Sequence, residues 1–598
     1  MPSITRREIL AASGSASLSV LGLGCTPAVQ APQRALPRAA LCTQADDWAT
    51  LAARQGADPD LYRLVETLLE RARRDLSLPV LERRLEGRRL LGTSREFIRR
   101  GLQWAFAFRV REEPVFLERA RQEALAVAAF SDWHPDHYLD VAEMTAGMAL
   151  VYDWLHPHLA RADCAALGAA IVDKGIAQAR HGHKTYLATN NWNQVCIGGM
   201  GLGALAVASD HPELARDVLA AARQALGKGL EAYRPDGVYP EGPGYWDYGT
   251  SYSVLTAAAL RGAFAGDGGI LGAPGFLRSA AFYAHAIGPS GKSFNFADAG
   301  EGAGFPCALV YLARELNQPA LLACLRQSIR ARQGLSDRFA PLAALWWPAP
   351  GPGQASANAF SGQGAQPVAI WRTAWDDPNA LWLAVKAGGA AHNHGHMDAG
   401  SFVLECDGVR WAKDLGMQDY NSLESRGVDL WNMKQNSARW QVFRLSAQAH
   451  NTLTLDGQPH NASGMATLHM DAADAALIDL SAAFLPGQLR SATRRVQFGA
   501  RSVAIEDGMQ GARPGAWVRW AMSTEAEVVL DGNAALLRHK GKRLVVDLDG
   551  AGMQWFVEEI AAPRSAVDAP NPGTRQLVAT GRIGPDGNWR MAVRMAPG

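Results

Sequence analysis

Cysteine is scarce in this chain of 598 residues: Cys25, Cys42, Cys164, Cys196, Cys307, Cys324 and Cys406, with no Cys-x-x-Cys pair. That excludes a disulfide framework and a zinc ribbon; most of the seven read as small buried hydrophobes, with one bridge allowed in an oxidising compartment. An excess of charge of one sign is also lacking. Lys plus Arg number 59 against 58 Asp plus Glu, so nucleic-acid binding through bulk charge is excluded, and an anionic ligand needs a local cluster of donors. Long hydrophobic runs are missing too. The uncharged stretch Ala11 to Gly24 is rich in Ser, Gly and Ala and falls short of the roughly 20 apolar residues of a spanning helix. What is present is a chain of 598 residues, 48% hydrophobic and 20% charged, longer than one core usually serves, which predicts two or three domains.

Thr5-Arg6-Arg7-Glu8-Ile9-Leu10 ahead of that stretch resembles a twin-arginine export signal. Residues 1–25 are therefore set aside as a targeting segment, with the periplasm or cell surface as the expected destination. That route carries proteins already folded and often already metal-loaded. Cys25, after Leu21-Gly22-Leu23-Gly24, is a candidate for a lipid anchor, with ordinary cleavage nearby as the alternative.

From 45 to 345 the apolar period is helical. Leu61, Leu64, Val65, Leu68 and Leu69 place one stripe on the segment Pro59 to Leu76. Similar stretches run through 115–130, 141–155, 164–179, 194–208, 212–233, 250–265 and 308–330, separated by loops with Pro, Gly and Asp. Periodicity alone leaves a solenoid, a bundle and an α/α toroid open. The run Trp347-Pro348-Ala349-Pro350-Gly351-Pro352-Gly353 then breaks the pattern, and the period falls to 2. Residues 346–362 are expected to be a linker and 363–598 an antiparallel β-sandwich, with strand-like runs at 368–373, 380–385, 401–404, 451–455, 502–506, 527–530 and 543–548.

The densest ligand-type cluster is His392-Asn393-His394-Gly395-His396-Met397-Asp398, just before a strand-like run. In an alternating segment His394 and His396 share a side, so both could ligate a metal, or one could ligate while the other faces a cleft. The bland alternative is a His-rich surface turn. Asp414 and His450 are the partners available downstream.

Residues 392–416, HNHGHMDAGSFVLECDGVRWAKDLG, and 449–457, AHNTLTLDG, are similar to the heparinase II/III family of polysaccharide lyases. Thr189-Asn190-Asn191-Trp192-Asn193-Gln194 and Pro240-Glu241-Gly242-Pro243-Gly244-Tyr245-Trp246 extend the resemblance over most of 130–460. It implies an α+β multidomain fold, an incomplete N-terminal α/α toroid followed by the C-terminal β-sandwich. It also implies one structural metal per chain, zinc with manganese as the alternative, on His396, Asp414 and His450.

The implied reaction is β-elimination at a uronic acid of an anionic polysaccharide, a glycosaminoglycan or alginate. Asn191 matches the donor that neutralises the carboxylate, and Tyr245 matches the catalytic tyrosine. A phenol near pKa 10 needs help, with His394 the leading source of positive potential or a second base. Where several members of the family carry His after the Asn, this chain has Trp192; Asn190, Asn193 or Gln194 are the expected replacements for that donor. Glu241, Trp246, Tyr248 and Arg439 complete the expected substrate contacts, with Arg180, His181, His183, Lys184 and Arg444 as further cationic candidates.

Other readings stand beside these. Asn191 would also serve as the cap of a helix beginning near Gln194. Tyr245 belongs to an aromatic group with Tyr239, Trp246, Tyr248 and Tyr252, and Tyr248 or Tyr252 is next in line as catalytic tyrosine. A glycoside hydrolase would use Asp236 and Glu241 as paired carboxylates. A surface glycan-binding protein without catalysis would keep the aromatics and the histidines but would not need Asn191.

Overall fold

A computed structural model describes residues 40–179, 184–264, 266–349 and 357–598. The targeting segment with Cys25, and Arg180, His181 and His183, lie outside the described residues. The six described cysteines are free thiols, all but Cys164 buried. Among the described residues no helix is long and apolar enough to cross a membrane.

The helical region is a double ring. Helices Leu91–Arg111, Tyr138–Leu155, Asn191–Ala206, Gly242–Ala263, Cys307–Glu315 and Ala340–Trp346 follow one another round the inside, the last packing back on the first. Pro59–Arg74, Pro114–Ala128, Arg161–Ala170 and Pro212–Leu230 lie outside them. The two layers have different sequences because they have different surroundings. Pro59–Arg74 is amphipathic, capped by the Asp58 side chain with Pro at its start, and buries the stripe Leu61, Leu64, Val65, Leu68 and Leu69. Tyr138–Leu155 is buried over all its length except Asp153, so it carries apolar residues on every face.

The C-terminal region is antiparallel throughout. Five strands in chain order, Ala359–Gly362, Val368–Arg372, Trp382–Lys386, Phe402–Cys406 and Val409–Ala412, form the sheet next to the helices. The first of these falls inside the stretch expected as linker. The middle strands are buried on both faces: Val368, Ile370, Trp382, Ala384 and Val403 join the helical core, while Ala369, Trp371, Leu383, Val385, Phe402 and Leu404 join the β core. An eight-stranded sheet, edged by Glu527–Asp531 and Thr467–Ala472, and a four-stranded sheet, Gln554–Glu559, Arg575–Arg582, Trp517–Thr524 and Leu453–Leu455, close that second core.

One buried ion pair ties the functional loops to this frame. Arg494 and Asp507 pair across neighbouring strands with two bonds of 2.8 Å, and the Arg494 guanidinium donates further to the carbonyls of Gly400 and Asn451 at 2.6 and 2.9 Å. Those carbonyls follow the two histidine-bearing loops. Asp507→Ala would strand a buried guanidinium, and the expected loss is about 3–5 kcal/mol of unfolding free energy. Chemical denaturation checks this; an unchanged midpoint removes the clamp.

Candidate active site

Five of the six inner helices turn their N-terminal ends toward one cleft of about 1020 Å³, lined by Leu91 and Arg95, Tyr138 and Leu139, Asn191 and Trp192, Tyr245 and Tyr248, and residues 337–339 just before Ala340–Trp346, with the loop 298–300 beside them. Helix N-termini carry partial positive charge and unpaired N–H groups, so their convergence offers donors to an anion in the cleft. Arg88, Arg89, Lys184 and Arg338 line the same space, together with Asp136, Asp247, Asp298 and Asp337. The β region closes it with Asn393, His394, Tyr420 and Trp431.

At the domain junction the Tyr245 and His394 rings stack, centroids 4.1 Å apart and 13° from parallel. His394 sits on a left-handed backbone, φ 61°, a conformation rare for residues other than glycine and held here by its surroundings. Its Nδ1 is 2.9 Å from Glu241 Oε2, while Glu241 Oε1 accepts from Asn393 Nδ2 at 3.1 Å. Glu241 is therefore not a substrate contact as the sequence led us to expect; buried between these partners, it fixes the imidazole with Nδ1–H toward the carboxylate and Nε2 free.

Tyr245 Oη lies 2.8 Å from Tyr420 Oη, and Tyr420 donates to Asp298 Oδ2 at 2.7 Å. Because the one Tyr420 proton is committed to Asp298, Tyr245 is the donor in its pair with Tyr420. Burial, then the charge of Asp298, push the Tyr245 phenol well above its ordinary value, with Arg95 acting in the opposite sense. Burial alone would raise Asp298, but the hydrogen bond from His396 and the positive charges of His396, Arg439 and His394 hold it below the usual carboxylate range. Tyr245 is thus a neutral phenol whose oxygen is made more basic by the buried charge behind it.

Asn191 is buried at the first turn of its helix, with Oδ1 lacking a protein partner, and lines the cleft. The helix begins at Asn191 rather than near Gln194, and Asn190 is the cap, its Oδ1 accepting from Trp192 N at 3.1 Å. Asn191 is thereby released from capping. Asn190, Trp192, Tyr248 and Lys184 also line the cleft.

Four other expected contacts do not. Asn193 bonds the carbonyls of Tyr186 and Ala225 and the amide of Gly229. Gln194 bonds Tyr233, Ser253 and Tyr239. Both face the helix packing because one residue's step rotates a side chain by about 100° around the axis. Trp246 is fully buried against Tyr283, and Arg439, also fully buried, donates to the carbonyls of Leu430 and Gly395. Arg444 likewise serves loop carbonyls. Asp236 binds Arg278 and the Gln363 amide and does not line the cleft.

Several residues escaped the sequence reading. Arg95 and Arg338 lie 4.7 and 5.5 Å from the Tyr248 ring centre, both held by the fully buried Glu143 at 2.8 and 3.1 Å. Asp247 and Asp337 share the cleft wall; burial raises both carboxyls, and the Asp337 charge raises Asp247 further. His134 and His137 also line the cleft. The run Asp132-Trp133-His134-Pro135-Asp136-His137 was a readable signal; Tyr420 and Asp298 carried none.

His396, Asp414 and His450 each bring a ligand atom within 4.8 Å of the other two, all buried. His396 Nε2 is 2.8 Å from Asp298 Oδ1, and His450 Nδ1 is 2.8 Å from Asp414 Oδ2. The remaining nitrogens, His396 Nδ1 and His450 Nε2, are buried without a protein partner. Two orphaned imidazole nitrogens beside a carboxylate fit a divalent ion, with Asp298 as the outer carboxylate that orients His396.

Residues 368–584 match the family described as Heparinase II/III-like, C-terminal. Among solved structures, the chain is similar to a mutant of heparan sulfate lyase HepC from Pedobacter heparinus, at 14% identity, covering 85% of this chain and 76% of that one with a TM-score of 0.57. It is similar to heparinase III, at 14% identity, 84% and 77% coverage and a TM-score of 0.56. A xanthan lyase from Paenibacillus follows at 11% identity, 92% and 60% coverage and a TM-score of 0.51. No curated protein sequence matches the chain. Residues 368–584 are thus similar to the C-terminal domain of that family, and the chain as a whole shares the fold of these solved structures.

Proposed function

We propose that the protein is a polysaccharide lyase that cleaves a uronate-containing chain, a glycosaminoglycan or alginate, by β-elimination, exported to the periplasm or cell surface. The observation that carries this is the relay Tyr245–Tyr420–Asp298 in the wall of a cleft on which helix N-termini and basic side chains converge. Abstraction of the C5 proton becomes feasible only when the adjacent carboxylate is neutralised and the enolate-like charge is held. Asn191 and the helix N-termini supply those donors. As Tyr245 Oη takes the C5 proton, its own proton moves to Tyr420 and that of Tyr420 toward Asp298. The reverse shift returns a proton through Tyr245 to the departing O4 when both lie on one face of the sugar. For a uronate of the opposite configuration, His394 Nε2, fixed by Glu241, is the base and Tyr245 the acid.

His396, Asp414 and His450 would hold zinc, or manganese, which when bound supplies positive charge and cross-links the loops. This chain's residues do the proton work.

The direct test is release of product absorbing in the ultraviolet from a panel of uronate polymers, since elimination leaves a conjugated double bond. Hydrolysis is the alternative that one observation favours, the Asp247 and Asp337 pair on the cleft wall; it would give new reducing ends without a chromophore. Tyr420→Phe breaks the relay while keeping the ring, and kcat is expected to fall about 10–100-fold, the weight of a hydrogen bond to a charged group, with KM little changed. A wild-type kcat in that variant removes Tyr420 from the mechanism.

A further inference from the structure

His134 and His137 stand in the turn before Tyr138–Leu155 and share one buried carboxylate: His134 Nδ1 is 2.8 Å from Asp140 Oδ2, and His137 Nδ1 is 2.7 Å from Asp140 Oδ1. Asp140 is fully buried and also accepts from the Leu90 amide at 2.6 Å. A carboxylate only accepts, so both imidazoles present Nδ1–H to it. The opposite edge of each ring, with Nε2, has no protein partner among the described residues, and both residues line the cleft. His137 is the cap residue of its helix yet makes no capping bond with its side chain. His134 holds a left-handed backbone, φ 64°, pinned by its amide on Asp132. Two histidines aimed by one acid, one of them on a strained backbone, exceed what starting a helix requires.

The surroundings select the ligand. The pair sits at a helix N-terminus, His137 meets Trp192 edge to face at 5.1 Å, and Arg88, Arg89 and Lys184 line the same cleft. We propose that His134 and His137 form an anion subsite in which each ring, as the imidazolium, keeps Nδ1–H on Asp140 and donates Nε2–H to an acidic group of the sugar chain, a carboxylate or a sulfate. It supplies from a neighbouring helix a donor that Asn193 and Gln194, turned into the core, do not provide. This rests on the reading of the cleft as one for acidic polysaccharide.

The discriminating variants are His134→Asn and His137→Asn, in which the Asn amide stands near the position of Nδ1 and keeps the bond to Asp140 while the Nε2 edge is lost. Histidine-labelled protein is titrated with methyl glucuronoside and, separately, with inorganic sulfate, following the two imidazole resonances assigned from these variants. Shifts with the glucuronoside alone identify a carboxylate subsite, and shifts with sulfate alone a sulfate subsite. Each Asn variant is expected to weaken the probe that binds, and to raise KM for the cleaved polymer, about tenfold. Unmoved resonances with both probes overturn the proposal, as do Asn variants that bind like wild type, or stoichiometric zinc at this pair without an effect of either acid. Failure of the lyase reading shows differently, as no ultraviolet-absorbing product from any polymer, and leaves the resonance titration intact.

Discussion

Tyr245→Phe is expected to bind the polymer and fail to turn it over. The substitution removes one oxygen and leaves the ring, whose stacking on His394 at 4.1 Å does not involve that oxygen. Loss of a general base costs about 10²–10⁴-fold in rate, so kcat should fall by that factor with KM little changed. Asn191→Ala should be similarly crippled, because Asn190 does the capping and the Asn191 amide is left to meet the substrate in the cleft. The readout is the initial rate of ultraviolet absorbance on the preferred polymer. Near-wild-type release by Tyr245→Phe together with a dead Tyr248→Phe would move the catalytic role one helical turn along. The structure argues against that shift, since the Tyr248 ring is held between Arg95 and Arg338 rather than beside His394. Activity in both, with His394→Ala dead, would make the histidine the base and leave Tyr245 as acid or platform.

The readable parts of the molecule are those where local pattern and final environment agree. Outer-ring helices such as Pro59–Arg74 have one wet face, and their stripe stands in the sequence. Leu91–Arg111, an inner helix, was not legible: from Phe97 to Phe108 only Arg99 is not buried, so no polar face marks its period. The five-stranded sheet lies between helices and the β core, and its strands read as apolar runs rather than alternation. At the site, the His392–Asp398 cluster was visible because it is compact in the chain. The relay was not, because Tyr245, Asp298 and Tyr420 span 175 residues between first and last and meet only through the domain junction. Helix phase decided the errors: fixing the start at Asn191 rather than near Gln194 decides that Asn190 and Asn191 face the cleft while Asn193 and Gln194 turn into the packing. Glu241 and Arg439 were recognised as belonging to the site, but burial turned both from ligand contacts into supports for His394 and its loop.

Purified protein is expected to carry about one zinc or manganese per chain, and removing it should cost stability before it alters the product. The three ligand residues all belong to the β region, but His396 is bonded to Asp298, which precedes the inner helix Cys307–Glu315 and also anchors Tyr420. An ion there fixes the His392–Asp398 loop against both domains and relieves the two orphaned nitrogens. Binding to the folded state alone contributes about 4 kcal/mol when metal stands a thousandfold above its dissociation constant. His396→Ala and Asp414→Ala should therefore lower the melting temperature by amounts close to that produced by a chelator on wild type, and the chelator should do little more to either variant, because each removes the same interaction. The unsaturated product made by the remaining active fraction should be unchanged. Elemental analysis finding no metal in a folded, active preparation would withdraw His396, Asp414 and His450 as ligands. Additive effects of chelator and substitution would show that the variants act through the Asp298 and His450 hydrogen bonds instead.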